Sequence, residues 1–174
     1  MSLIIFLIYL ENYTEFAKTY NISYNITNIW KRGDVWNMKN NYFYAMLSRM
    51  KYINRWGLMR NTRNENLSEH SLEVAFIAHA LGVINNEVFG GDINAERLAV
   101  LGMYHDVTEI ITGDMPTPVK YYSPYIRNAY KEVEQVANEQ MLSGLPEVLR
   151  ARYEGLLLET ENEAGLWEYV KAAD

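Results

Sequence analysis

Four potential metal ligands, far apart along the chain, constrain its fold more than any other feature. They are His70, the adjacent pair His105-Asp106, and Asp174. Because they occur in three separate stretches, three helices must converge if one site is to contain them all. Imidazole and carboxylate donors both suit a divalent transition metal. Two histidines and two carboxylates also leave coordination positions for water and a substrate oxygen, which is the arrangement of a catalytic metal site rather than a closed structural one.

The spacing of apolar residues predicts helices in the middle of the chain. Apolar side chains recur at steps of three and four over residues 43–53, which predicts a first helix. A second is predicted over residues 68–86 with Ser68 as its N-cap, and a third over residues 94–111 with Asn94 as its N-cap. The first turn of the second helix would then contain a potential ligand.

Short proline-containing segments divide the rest of the chain. Residues 114–118 include two prolines and are predicted to be non-helical, because proline lacks an N–H donor and restricts the residue before it. Ser123 is the predicted cap of a helix that runs through Leu142, Pro146 begins another, and a last helix leads to Asp174. Only the N-terminal region is ambiguous between helix and strand, so the predicted fold class is all-α.

Composition restricts the partners that this chain can have. It has 174 residues, enough for one domain with a real core, and a net charge of -6. That charge provides no basic surplus for a nucleic-acid backbone, so we expect no polymeric DNA or RNA partner. Cysteine is absent from the sequence, which fits a reducing cytoplasm, the expected location.

The N-terminal region differs from the rest of the chain. Residues 1–40 are rich in Asn, Ile and Tyr and have no clean period, and we interpret them as an extension. Either Met38 is the native start, or residues 1–37 are an accessory arm. Residues 3–10 are apolar but too short to span a bilayer, and they lack the basic region and cleavage site of a signal peptide. We therefore predict neither secretion nor a membrane partner.

Candidate catalytic groups lie close to the His-Asp pair. His105, Asp106 and Glu109 are predicted on one helix, where spacings of three and four residues place them beside the same cleft. Glu109 could accept a proton from a water molecule. Asp114 could bind a sugar hydroxyl or share the proton transfer. His79 lies within an apolar run, and we interpret it as a buried or half-buried core residue rather than a ligand.

The dipeptide Arg55-Trp56 has two interpretations that the sequence leaves open. One is an arginine favoured by the dipole at a helix end, next to a core tryptophan. The other is a phosphate clamp next to a flat wall for a base or sugar.

Three stretches of the sequence resemble a known family. INRWGLMRNTRNENLSEHSLEVA, MYHDVTEIITGDMPTPVKYY and EYVKAAD resemble the HD-domain metal phosphohydrolases and, among these, the bacterial 5′-deoxynucleotidases. The resemblance covers residues 41–174, and TGDMPTPVKY is far more restrictive than a His-Asp pair. It implies an HD-domain helical bundle with a single catalytic divalent metal between helices. It also implies hydrolysis of deoxyribonucleoside 5′-monophosphates to deoxynucleosides and phosphate, with Co²⁺ or Mn²⁺ as the favoured metal and Mg²⁺ or Zn²⁺ as alternatives.

The resemblance also implies a role for each matching residue. Arg55 would orient the phosphate, Trp56 would contact the nucleoside and help to exclude a ribose 2′-hydroxyl, and Glu109 would activate water, with Asp114 as a further catalytic candidate. The implied metal ligands are His70, His105, Asp106 and Asp174. The implied substrate-binding residues are Arg55, Trp56, His70, Asp106, Asp114, Met115, Pro116, Thr117 and Asp174.

The end of the chain departs from the resembling family. In that family the helix of the last ligand continues and further helices follow, so we expect the domain of residues 41–174 to be truncated at its C-terminus. Family members are commonly homodimers, and we expect one here. Two alternatives remain open: an HD enzyme that cleaves triphosphate from a dNTP, and a non-catalytic fragment that binds metal or nucleotide. The modest positive charge near the predicted site favours a monophosphate substrate.

Overall fold

The described part of the chain is built from helices. The computed structural model describes residues 42–57 and 62–174, and within these ranges the extended structure is limited to one isolated bridge between Asn54 and Asn66. The predicted all-α class is therefore confirmed. The predictions for residues 1–40, including residues 3–10 and the Met38 start, lie outside the described residues. The helices are α1 (Phe43–Leu47), α2 (Leu67–Phe89), α3 (Ala95–Tyr104), α4 (Glu109–Thr112), α5 (Thr117–Lys120), α6 (Pro124–Ser143), α7 (Glu147–Leu157) and α8 (Ala164–Ala173), with 3₁₀ turns at Met50–Tyr52 and Glu161–Glu163.

Helix α2 begins one residue earlier than its predicted cap. Asn66 is the N-cap: its side chain accepts hydrogen bonds from the N–H groups of Ser68 and Glu69, at 3.0 and 3.1 Å. The Glu69 carboxylate in turn accepts from the Asn66 N–H at 3.3 Å, which completes a capping box. The predicted cap Ser68 is wrong, because it already lies within the first turn. His70 follows two residues later, in that same turn.

Helix α3 ends at Tyr104, so the prediction of one continuous helix through Ile111 is wrong. His105 Nδ1 donates to the Gly102 carbonyl at 2.8 Å, and a side chain that binds this carbonyl competes with the regular helical ladder. The N–H groups of Val107 and Glu109 bind carbonyls three residues back instead. His105 and Asp106 therefore lie in a turn between α3 and α4 rather than on a helix.

Two smaller predictions also need correction. The segment 43–53 forms a short helix and a 3₁₀ turn rather than one helix. Thr117 and Pro118 belong to α5, so residues 114–118 are only partly non-helical. Proline is tolerated there because the first N–H groups of a helix need no intrahelical acceptor. The predicted caps Asn94 and Ser123 are confirmed, since their side chains accept from Arg97 N at 2.8 Å and Ile126 N at 3.2 Å.

Helix α2 packs on α3 and α8 through small residues. Gly102 of α3 lies against the backbone of Ala75, and Gly82 of α2 lies against Ala95 and Leu98. The resulting core cluster contains Val74, Ala78, Leu98, Leu101, Leu156, Trp167 and Val170. A second cluster contains Phe43, Met50, Leu67, Val107, Ile110, Met141, Leu142 and Leu145. The packing brings the first turn of α2, the turn after α3 and the end of α8 to one place.

The outward face of α2 is apolar and exposed. Within the described residues, α2 alone is long and apolar enough to cross a membrane, and 22% of its apolar stretch is buried. His79 lies on the exposed side of α2, so its interpretation as a core histidine is wrong. The large apolar side chains exposed along α2 are Leu72, Phe76, Ile77, Val83, Ile84, Val88 and Phe89.

Candidate functional site

The four potential metal ligands converge in the fold. One ligand atom from each of His70, His105, Asp106 and Asp174 lies within 4.8 Å of all the others. His70 Nε2 is 2.8 Å from Asp174 Oδ1 and 3.6 Å from Asp106 Oδ2. His105 Nε2 is 3.1 Å from Asp106 Oδ2 and 3.8 Å from Asp174 Oδ1. This convergence brings together residues from both ends of the described domain.

The cluster fits a divalent cation. His105 donates through Nδ1 to the Gly102 carbonyl, so its Nε2 presents a lone pair to the cluster. That nitrogen is buried and lies 3.1 Å from Asp106 Oδ2, where it can bind either a proton or a metal ion. Ligands about 2 Å from a metal lie roughly 3–4 Å from one another, and the four imidazole–carboxylate distances given above, 2.8 to 3.8 Å, are close to that range. A carbonyl partner on the second imidazole nitrogen is also the usual arrangement for a metal-binding histidine.

The charges of the cluster are strongly coupled. Burial lowers the pKa of His105, but the carboxylates of Asp106 and Asp174 outweigh that effect and raise it to about 10. The same contacts, together with His70, hold the pKa of Asp174 well below its usual range. Without a metal, a proton on imidazole therefore balances the carboxylates, and a metal ion has to displace it.

Arg55 faces the carboxylates of the cluster. Its guanidinium donates to Asp106 Oδ2 at 3.0 Å and lies 3.8 Å from Asp174 Oδ1 and 3.9 Å from Glu65 Oε2. The backbone fixes this position, because Arg55 N binds the Glu65 carbonyl at 2.9 Å and Leu67 N binds the Ile53 carbonyl at 3.0 Å. Only 12% of the Arg55 side chain is exposed. Arg55 thus approaches the cluster from a position next to the Asn54–Asn66 bridge rather than from a helix end.

Trp56 has a strained backbone at the edge of the site. Its φ of 56° is in the left-handed region, which costs a non-glycine residue on the order of 1 kcal/mol. Its N–H donates to the Asp114 carboxylate, a contact that joins the loop after Arg55 to the segment after α4. Strained residues often cluster at functional sites, and this one directly follows Arg55 in the sequence.

Glu109 is a buried carboxyl group with an unusual acidity. Burial raises its pKa, and the negative charges of Asp106 and Asp114 raise it further, to about 8 in total. Its Oε2 is buried and forms no hydrogen bond within the described ranges. The positive charges of Arg55 and Lys120 oppose the rise. A group that titrates near neutral pH is suited to both accepting and donating a proton.

A cavity of 290 Å³ adjoins the metal-ligand cluster. Three of the predicted site residues, His105, Asp106 and Asp174, line it, whereas the other predicted site residues are outside its lining. Among those, Met115 is half-buried, Pro116 is buried and Thr117 is exposed at the start of α5. The remaining lining residues are Thr108, Lys120, Glu134, Asn138, Leu157, Glu159, Trp167, Val170 and Lys171.

Sequence reasoning gave no role to Glu65 and Glu134, and it counted Lys120 only among the few positive charges near the predicted site. Glu65 lies 3.7 Å from His70 Nδ1 as well as near Arg55. Lys120 and Glu134 form an ion pair of 2.8 Å on the cavity wall. Glu65 has no helical spacing to any ligand, and Glu134 is remote in sequence, so no local pattern could have identified them. Lys120 belongs to the motif TGDMPTPVKY, and this is the sequence feature that places it near the site.

Comparisons with known proteins agree with this geometry. A 5′-deoxynucleotidase from Photorhabdus laumondii is 52% identical over 133 residues, which cover 76% of this chain and 68% of that protein. A 5′-deoxynucleotidase from Vibrio vulnificus is 51% identical over 137 residues, which cover 79% of this chain and 71% of that protein. The chain thus spans about two thirds of the length of these curated relatives.

Solved structures show the same fold. An HD-domain phosphohydrolase from Listeria innocua aligns with a TM-score of 0.64 and 27% identity, over 75% of this chain and 64% of that one. A conserved hypothetical protein from Pyrococcus furiosus aligns with a TM-score of 0.52 and 23% identity, over 75% of this chain and 72% of that one. The predicted HD-type architecture is therefore confirmed.

The chain also matches a family model. The model described as 5′-deoxynucleotidase YfbR-like matches residues 42–174, the region that contains the whole ligand cluster and its surroundings. Together with the curated relatives, this match confirms the predicted family and the predicted class of metal-dependent phosphohydrolase. The chain belongs to the YfbR-like 5′-deoxynucleotidase family.

Proposed function

We propose that this chain hydrolyses deoxyribonucleoside 5′-monophosphates to deoxynucleosides and orthophosphate at the cluster of His70, His105, Asp106 and Asp174. The observation that carries the proposal is the convergence of these four ligands within 4.8 Å, next to a buried arginine and a buried carboxyl group of raised pKa. Family membership supports the same substrate class.

The cluster would hold one divalent metal ion. When bound, such an ion polarises phosphoryl oxygens and lowers the pKa of a water molecule that it binds. Imidazole and carboxylate donors suit a divalent transition metal. The resemblance to the family favours Co²⁺ or Mn²⁺, with Mg²⁺ and Zn²⁺ as alternatives to be tested. Because His105 loses its proton when it binds a metal, affinity should rise with pH.

Arg55 would neutralise negative charge during the reaction, and Glu109 would transfer the proton. The Arg55 guanidinium already spans Asp106 and Asp174, so it can neutralise charge on a phosphoryl group bound beside them. Glu109 would accept a proton from the attacking water and return it to the leaving 5′-oxygen, a role that suits a pKa of about 8. Asp114, whose charge contributes to that pKa, would tune Glu109 as well as bind substrate.

The nucleoside would lie against Trp56 and the segment that begins at Asp114. Asp114 accepts from the Trp56 backbone N–H, and Met115, Pro116 and Thr117 follow Asp114 in the sequence, so these residues would form one wall of the nucleoside site. A fixed wall of this kind can exclude a 2′-hydroxyl by leaving it without space or a partner. We therefore propose selectivity for deoxyribose over ribose at this wall.

The decisive experiment compares substrates and metals. Protein stripped with EDTA is supplied again with Co²⁺, Mn²⁺ or Mg²⁺, and phosphate release is measured from dAMP and from AMP. Metal-dependent release from dAMP alone is the expected result. Tripolyphosphate release from dATP, with dAMP left intact, would replace the proposal with a triphosphohydrolase. Metal binding without turnover of any nucleotide would indicate a binding module.

Substitutions should separate the roles in the same assay. We expect Glu109→Ala to bind metal and lose turnover, and His105→Ala to lose both. Arg55→Ala should lower kcat/KM by about a hundredfold or more, because a charge-assisted contact to the transition state is lost. Unchanged kinetics of Glu109→Ala would mean that another group transfers the proton.

We also propose a cytoplasmic homodimer without a membrane partner. The exposed apolar face of α2, with Phe76 and Val88 at 65% and 68% exposure, supports association of two copies. His70 in the first turn of the same helix, and the packing of α2 against α3 and α8, support α2 as an element of the folded domain rather than a membrane span. Light scattering on purified protein tests the dimer, and a monomer at micromolar concentration would contradict it.

A further inference from the structure

Lys120 is a second cation next to the metal-ligand cluster. It is the last residue of α5 and lines the same cavity as His105, Asp106 and Asp174. Its Nζ lies 2.8 Å from Glu134 Oε1 and 4.8 Å from the centroid of the Tyr130 ring. Only 27% of the side chain is exposed, whereas lysines are usually solvated. Two contacts therefore hold this ammonium group at the cavity wall.

A further cation would balance negative charge at this site. Asp106 and Asp174 line the cavity in which a phosphate dianion would bind, and Glu109 is within electrostatic reach of Asp106 and Asp114. Arg55 is already engaged by Asp106 at 3.0 Å and lies 3.8 Å from Asp174. A divalent ion would balance the two ligand carboxylates, which leaves the charge of the substrate to side chains. A further positive group near the cavity would offset it.

Lys120 is charged and close enough to act on the site. Burial lowers the pKa of Lys120, but the ion pair with Glu134 outweighs burial, so the pKa is raised and the ammonium form persists. Burial, Asp106 and Asp114 raise the pKa of Glu109, and Lys120 is one of two groups that oppose this rise. The field of Lys120 thus reaches the proposed proton-transfer group.

We propose that Lys120 is a substrate-binding residue, which donates a charge-assisted hydrogen bond to the phosphate group of the nucleotide in the cavity beside the metal ligands. Glu134 is the positioning residue, because it holds the ammonium group at the wall when no anion is bound. The inference rests on the proposed function for the identity of the nucleotide, but phosphate binding by Lys120 can be tested without turnover.

The cavity provides a matched control for this lysine. Lys171 also lines it and pairs with a glutamate, Glu159, at 2.9 Å. The side chains of this second pair are 62% and 46% exposed, so solvent screens their charges much more. If any positive charge near the cavity sufficed, the two lysines would contribute equally. If position matters, only Lys120 contributes.

The test measures phosphate binding and kinetics together. Metal-loaded protein of the full sequence is titrated with inorganic phosphate by calorimetry at low salt, and steady-state rates with dAMP are measured in parallel. We expect Lys120→Gln to weaken phosphate binding and raise the KM for dAMP by about tenfold to a hundredfold, the effect of one charge-assisted hydrogen bond. Lys120→Arg should recover most of the loss, and Lys171→Gln should stay within about threefold of the wild type.

Further measurements exclude a purely structural role. The double variant Lys120→Gln/Glu134→Gln leaves no unpaired glutamate, so weak phosphate binding in this variant assigns the loss to the missing ammonium group. Wild-type phosphate affinity in Lys120→Gln, or equal loss in Lys171→Gln, would overturn the inference. A wild-type protein that binds phosphate through Lys120 but does not hydrolyse dAMP would refute the proposed function and support the role of Lys120.

Discussion

Replacing Gly102 with alanine should weaken both the fold and the metal site. A Cβ atom on Gly102 would lie 2.8 Å from the Cα and 3.0 Å from the N of Ala75. Carbon atoms in ordinary contact are about 3.5–4 Å apart, so α2 and α3 would have to separate by about 1 Å. The obstacle is backbone, which cannot rotate away. Overpacking of this kind costs about 1–3 kcal/mol of unfolding free energy.

The same separation should reach the metal ligands. Gly102 lies three residues before His105, and its carbonyl accepts the Nδ1–H that fixes the imidazole. His70 is on the opposing helix, so a wider gap between α2 and α3 moves the two histidines apart. Loss of order in such an outer partner typically weakens metal binding about tenfold to a hundredfold. We expect a loss of Co²⁺ affinity of that size in Gly102→Ala.

Gly82→Ala is the matched control for this prediction. Its Cβ would lie 2.8 Å from Leu98 Cδ1 and 3.1 Å from the Cα of Ala95, so it also forces α2 and α3 apart. Gly82 is about three turns further along α2 than His70. Urea unfolding with EDTA measures stability, and calorimetry measures Co²⁺ binding. Unchanged stability of Gly102→Ala, or an equal loss of metal affinity in Gly82→Ala, would refute the reasoning.

Three further predictions follow from the charged groups. Glu109→Gln should stabilise the metal-free protein, and it should do so more at pH 8 than at pH 5. The pKa of Glu109 is about 8 in the folded state, which exceeds the unfolded value. Ionisation of Glu109 therefore lowers the free energy of unfolding as pH rises, by roughly 1.4 kcal/mol per pKa unit. Thermal melting with EDTA measures this, and a variant less stable at pH 8 would contradict it. Glu163→Gln should instead destabilise the protein. Hydrogen bonds from Arg97 lower the pKa of Glu163 and stabilise the fold above pH 4.5 by about 1 kcal/mol. This stabilisation, and with it the effect of the substitution, disappears as pH falls. Melting curves from pH 3 to pH 7 test this, and a pH-independent difference would contradict it. Co²⁺ binding should tighten between pH 6.5 and 8.5 with release of protons, because the pKa of His105 is raised to about 10; equal affinity at both pH values would exclude competition between proton and metal.

Part of the fold and of the candidate site could be read from local sequence. The capping of α3 and α6 follows from Asn94 and Ser123, because a cap depends only on the next few residues. The all-α class follows from helical spacing in the same way. The order of His70, His105-Asp106 and Asp174, with the motif TGDMPTPVKY, indicated the family before any packing was known.

Tertiary contacts overruled local patterns at several residues. The run around His79 is apolar, yet α2 packs through the small residues Ala75, Ala78 and Gly82, whose size allows close approach, and it exposes larger neighbours. The spacing of apolar residues predicts a helix at His105 and Asp106. Both residues lie in a turn instead, because His105 Nδ1 donates to the Gly102 carbonyl. Periodicity specifies that a helix has two faces, but the neighbouring elements decide which face is buried.

The sequence by itself determined the helical class and the family, and it supplied the candidate metal ligands. Only the tertiary structure decided the distances between groups remote in sequence, and with them the electrostatics of the site. The approach of Arg55 to Asp106, the pKa of Glu109 near 8 and the pairing of Lys120 with Glu134 all depend on such distances. Coulomb interactions and burial are functions of three-dimensional separation, which no spacing along the chain contains.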